Sequence, residues 1–155
     1  MENNLIRNIQ GVPPKKEETV ELIADKIVNF LNGLHEIDPQ LFNDWYEQAG
    51  SKKEALQKKV LINTEFIQGV VRKEWDKKFP ELGSGFSFWS GKDDLEDVVL
   101  TFGVGMTTKN KNINNVINIK LPFDKTLRLK KDDEKVSQIV ELIKRCWNPV
   151  TMEIE

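Results

Sequence analysis

Four carboxylates crowd into five residues at Asp93, Asp94, Glu96 and Asp97, beside Gly91 and Lys92. Such a cluster can hold a metal ion, exchange protons with a substrate, meet a basic partner, or keep a hairpin loop hydrated. The preceding "GFSFWSGKD" invites a phosphate-binding reading, which its spacing excludes. A P-loop sets its Gly-Lys pair one residue closer to the first glycine and follows it with Ser or Thr. Here five residues separate Gly85 from Gly91, and Asp93 follows Lys92. The "GVG" of Gly103 to Gly105 lacks the third glycine and the following helix of a dinucleotide fingerprint. Those glycines suit a bulge, or a place where another element crosses closely.

A calcium loop needs a central glycine and ligands at alternating positions. "KDDLEDVVLTFG" has no such glycine, and its second half reads as a strand. Paired-metal hydrolysis needs carboxylates converging from separate elements. A small metal-dependent hydrolase using Asp93, Asp94, Glu96 and Asp97, or a general protein-interaction module, is therefore the alternative to a dedicated binding surface or a solvated hairpin. Elsewhere the inventory is thin. His35 is the only histidine and Cys146 the only cysteine, so no intrachain disulfide and no Cys-based zinc site can form. His35 fits the end of an apolar helix, and Cys146 a small core position. The expectation is no catalytic set, no metal site and no cofactor.

The aromatic residues add a second kind of chemistry. Trp89 is out of phase with Phe86 and Phe88, which places it on the opposite sheet face, near the acids. There it is either an exposed interface residue or covered by a helix or the C-terminal segment. Asp44 and Trp45 make a second candidate patch, since adjacent Trp45 and Tyr46 diverge by about 100° on a helix.

These residues must be positioned by elements whose periodicity is legible. Val20, Ile23, Ala24, Ile27, Leu31 and Leu34 recur at helical spacing, with Gly33 as a stop. Asp38-Pro39 reads as a cap and first position for a short helix carrying Leu41, Phe42, Trp45 and Tyr46. Ser51 and Glu54 are in capping-box register. Asn63 or Thr64 opens a helix with Phe66, Ile67, Val70, Val71 and Trp75 on one stripe; Gly69 within it predicts a close packing contact. Strand alternation follows at Phe86–Phe88, Val98–Val104 and Ile117–Leu121. A last helix carries Val136, Ile139, Val140, Ile143 and Cys146 or Trp147, capped by Asp132 or Asp133, and Met152 and Ile154 suggest a final strand. The expected fold is α+β: an antiparallel sheet, with a three-stranded meander plus a C-terminal strand, and about four helices packed on it.

At 155 residues, 39% apolar and 31% charged, the chain reads as one globular domain over 1–155, with 1–16 irregular. A net charge of −2 gives no footprint for nucleic acid. No run is long enough to span a membrane, and the N-terminus has no signal-peptide core, so a cytoplasmic protein is expected.

The ordered landmarks "DPQLFNDWYEQAGSKKEAL", "LGSGFSFWSG", a strand ending in "FGVG", "NVINIKLP" and "RCWNPVTMEIE" carry a resemblance. Trp45, Tyr46, Gly50, Ser51, Gly85, Phe86, Ser87, Trp89, Gly91, Leu121, Pro122, Trp147 and Pro149 fit the pattern of the immunity protein 52 family. The likeness runs from about Asp38 to the last residue. Asn148 stands where the family has an acid, no second tryptophan follows, and the aromatic, arginine-containing N-terminal strand of the family is missing. The resemblance implies a non-enzymatic antidote to a polymorphic, often type VI-secreted, bacterial toxin. The partner would be the toxin's catalytic domain, commonly a restriction-endonuclease-like nuclease; monomer and homodimer are both compatible. On local chemistry, the residues expected to touch it are Trp89, Asp93, Asp94, Glu96 and Asp97, with Asp44 and Trp45.

Overall fold

A computed structural model describes residues 4–155 of the chain. In chain order the elements are β1 (Asn8–Val12), α1 (Val20–Ile37), β2 (Tyr46–Glu47), α2 (Lys52–Ala55) and α3 (Thr64–Lys73). They continue with β3 (Ser84–Trp89), β4 (Val99–Val104), β5 (Val116–Lys120), α4 (Glu134–Trp147) and β6 (Thr151–Ile154). The fold is α+β. Among the described residues six strands form one antiparallel sheet in the order β2-β3-β4-β5-β1-β6.

The three long helices start where short polar side chains satisfy their first free N–H groups. Thr19 accepts from Leu22, Asn63 from Phe66, and Asp133 from Lys135. Asn148 ends α4 in the left-handed conformation at φ 48°, which asparagine tolerates better than most residues. All three helices lie on one face of the sheet. α1 is central, touching α3 on one flank and α4 on the other; α3 reaches β3 and α4 reaches β1. Beneath them Ile9, Phe88, Leu100, Phe102, Ile117 and Ile119 are buried, and Phe30 meets Phe102 and Trp147 edge-on. Each such side chain contributes about 1.5–3 kcal/mol of transfer free energy. Among the described residues no helix is long and apolar enough to cross a membrane.

The other face of the sheet has no helix of the main layer. A polar row crosses it from Ser87 through Thr101, Asn118 and Gln10 to Glu153 on five adjacent strands. Ser87 and Thr101 hydroxyls lie 3.2 Å apart, and Asn118 donates to Asn8 at 3.3 Å.

The β3-β4-β5 meander and the last strand are as the alternation predicts, but four expectations need correction. Residues 8–12 are a strand, not irregular chain, and this strand sits between β5 and β6. The segment after Asp38-Pro39 is not a helix. Asp38 accepts from Gln40 and Leu41 as a cap would, yet only a turn follows before the chain extends into β2. Gly33 does not stop α1. The helix continues to Ile37, and Gly33 packs closely against α4, since an added Cβ would lie 2.5 Å from Leu142 Cδ1. Gly69, expected at a close contact, faces open space with nothing within 4 Å of an added Cβ. The close crossing is instead at Gly105, with φ +72° and the Trp75 ring 2.4 Å from any Cβ built there. Trp75 is half-buried just past the end of α3, its indole N–H donating to the Pro80 carbonyl at 2.9 Å.

Candidate functional site

The four acids lie in the connection between β3 and β4, and backbone chemistry fixes that connection at both ends. At its base the Ser90 N–H donates to the Val98 carbonyl (3.0 Å), while the Val98 N–H donates to Ser90 Oγ (2.9 Å). Ser90 is buried, so this exchange is shielded from water. Gly91 follows at φ +80° and seats the Tyr46 ring, whose Cε2 would lie 2.6 Å from a Cβ at that position. At the tip the Glu96 N–H closes a turn on the Asp93 carbonyl at 2.9 Å. The Leu95 carbonyl then accepts from the Asp124 N–H at 2.8 Å, tying the loop to the segment after β5. A third tether comes from α2, where Lys52 Nζ reaches Asp94 Oδ1 at 2.7 Å. The Asp94 hydrogen bond holds the Lys52 pKa above its ordinary value.

The acids do not act as one group. Asp93, Asp94 and Glu96 are exposed, whereas Asp97 is half-buried. Burial raises the Asp97 pKa, aided by the Asp94 charge, against a lowering by the Trp89 indole hydrogen bond and Lys120. Among the described residues no three His, Cys, Asp or Glu side chains are arranged to hold a metal ion. His35 is exposed in the last turn of α1, with Nδ1 3.2 Å from the Phe42 carbonyl oxygen. Cys146 is half-buried, and burial pushes its thiol pKa up, away from thiolate reactivity.

No family model matches the sequence, and no curated protein is significantly similar to it.

Two of the expected contact residues are not at the surface. Trp89 does project from the face opposite Phe88, but it is only 8% exposed. Tyr46 packs against it at 6.2 Å between ring centroids, and Ala49, Ser51, Lys52 and Ala55 share a recess with it. Trp45 is 1% exposed and stacks on Phe42 in the core. Strand alternation, rather than a helical turn, separates Trp45 from Tyr46 and sends them to opposite faces. Asp44 is partly exposed and paired with Lys59 at 3.4 Å. The structure therefore brings Asp93, Asp94 and Glu96 together on one exposed loop, keeps Asp97 and Trp89 beneath it, and separates off Trp45.

Sequence reasoning passed over the apolar residues at this end of the sheet. Leu95, inside the acid run, is 58% exposed, and Phe123 and Leu127 beyond β5 are 56% and 39% exposed. The signal was present: a leucine flanked by acids at a loop tip, and a phenylalanine placed after the strand-ending Pro122. Both fall outside the period-2 pattern that identifies core positions. Arg7 and Arg128 guanidiniums lie 5.2 and 5.6 Å from the Phe123 ring centroid. Arg128 is locked there by donating Nε to the Pro122 carbonyl and Nη2 to the Phe123 carbonyl, each at 2.8 Å.

Proposed function

We propose that this chain is a cytoplasmic immunity protein that binds and neutralises a bacterial toxin. The toxin is of the polymorphic, type VI-secreted kind, and its active domain is a restriction-endonuclease-like nuclease. The observation that carries this reading is a tethered loop presenting Asp93, Asp94 and Glu96 to solvent. A nuclease displays a basic face to the phosphates it cleaves. Fixed carboxylates on an inhibitor can occupy that face, accelerate encounter and exclude nucleic acid. The landmark residues shared with the immunity protein 52 family, including Trp89, Gly91 and Trp147, support the same reading from another direction.

Co-expression tests it. On this reading a nuclease-like toxin domain is encoded beside the gene; the chain should restore growth to cells producing that domain and should form a stable complex with it. Growth that is not restored, with both proteins soluble, would overturn the reading.

A further inference from the structure

Leu95, Phe123 and Leu127 are three of the large apolar side chains left exposed on the described surface, and chain geometry makes them neighbours. The Leu95 carbonyl accepts from the residue after Phe123, and the Leu127 N–H donates to the Asp124 carbonyl at 3.0 Å. Leu127 also lines a recess with Lys92 and Glu96 of the acidic loop. The other exposed large apolar residues, such as Leu22, Phe79 and Val150, belong to different parts of the chain. An apolar group this exposed, fixed by backbone hydrogen bonds and rimmed by charge, has the anatomy of an interface centre.

We infer that Leu95 and Phe123, flanked by Leu127, form the apolar centre of the toxin-binding surface, with Asp93 and Glu96 as its charged rim. This inference rests on the immunity reading above. The occupant it requires is a protein surface with an apolar contact and basic groups facing Asp93 and Glu96, but none facing Arg7 and Arg128 beside Phe123. Leu95 and Phe123 project more than half exposed instead of lining an enclosed cavity, so a small molecule would be poorly covered there. Within residues 91–97 four acids face a single lysine, which suits a basic partner. Among the described residues Asp93 and Glu96 make no ion pair, so their charge is available to the rim. Arg128 is already committed to backbone carbonyls, so it holds Phe123 in position and needs no reorganisation on binding.

The test uses the intact chain and the neighbouring nuclease-like domain, with association and dissociation rates followed by interferometry. Leu95→Asp and Phe123→Ala should each weaken binding by about thirtyfold, mainly through faster dissociation. Val150→Asp serves as a control. Val150 donates to the Val12 carbonyl at the end of β1 away from Arg7, and it is 71% exposed. That variant should bind within about twofold of the parent, the size expected for a position outside the interface. Thermal melts confirm that each variant is folded. Backbone hydrogen exchange should slow across residues 91–97 and 122–128 when the complex forms. If the parent binds and both variants bind equally well, the centre lies elsewhere while the immunity reading stands. If the parent does not bind, that reading fails and this inference falls with it.

Discussion

Two aspartates show how the same functional group takes opposite roles within one chain. Burial tends to raise the Asp38 pKa, but hydrogen bonds from Leu41, Lys135 and Gln40 together with the Lys135 charge leave it below its ordinary value. A lowered folded-state pKa stabilises the protein above the unfolded value near 3.8, and that contribution is lost as pH falls through the folded value. Asp97 has the reverse sign. Its raised pKa means that stability is fully present below the unfolded value and declines as pH rises through the folded one. Asp97→Asn is therefore expected to match or exceed the parent at neutral pH, by less than about 1 kcal/mol because solvent screens a half-exposed group. The advantage should vanish near the acid limit in urea titrations run across pH. Asp38→Asn keeps a side-chain acceptor for Gln40 and Leu41 but loses the Lys135 ion pair, so it should cost less than about 1 kcal/mol at neutral pH and should flatten the acid limb of the same profile.

At the scale of elements, two glycines in helices predict opposite outcomes for one substitution. Gly33→Ala drives a methyl group into Leu142, a buried side chain of α4, and should destabilise by about 1–3 kcal/mol. Gly69→Ala meets open space in the middle of α3 and should stabilise by about 0.5–1 kcal/mol through helix propensity and a less flexible unfolded chain. Chemical denaturation of the pair measures both. Loop anchoring gives another prediction. Ser90→Ala leaves the Val98 N–H without its side-chain acceptor in a buried setting, which should cost about 1–3 kcal/mol. If the acidic loop is the binding surface, the same change should slow toxin association, as a loosened loop must be ordered on contact.

What the sequence disclosed follows from these elements. The stripes of α1, α3 and α4 and the alternation of β3, β4 and β5 were legible because each repeats an apolar period over several residues. β1 was not, because its core-facing positions are Ile9 and Gly11. Gly11 packs under Ile143 and Met152 with no side chain to reveal its orientation. β2 is two residues long, too short for any period, and the cap chemistry of Asp38-Pro39 looks the same before a turn as before a helix. At the candidate site, the exposure of Asp93, Asp94 and Glu96 could be anticipated from charge alone. The burial of Trp89 could not, since it depends on Tyr46 and on the segment around α2, which arrive from elsewhere in the chain.

For the whole molecule, under the proposed immunity reading, charge on the acidic loop should act through encounter. Replacing Asp93, Asp94 and Glu96 with lysines should cut the association rate with a basic nuclease domain by about tenfold or more at low salt. Raising ionic strength should narrow that gap, as exposed charges are screened within about 10 Å at 0.1 M. Rates unchanged by charge reversal would remove this loop from the interface.

The sheet order also sets a timetable. Of the six described strands β1 is translated before the others, yet it lies between β5 and β6, whose residues follow more than a hundred positions later. A chain emerging from the ribosome would hold Ile9 without a strand partner until residues 117–120 are made, and β6 can pair only after that. Completing the sheet thus requires β1 to join β5 and β6 from far away in sequence. Long-range closure of this kind makes folding slower than for a local meander and leaves an early apolar segment in need of protection.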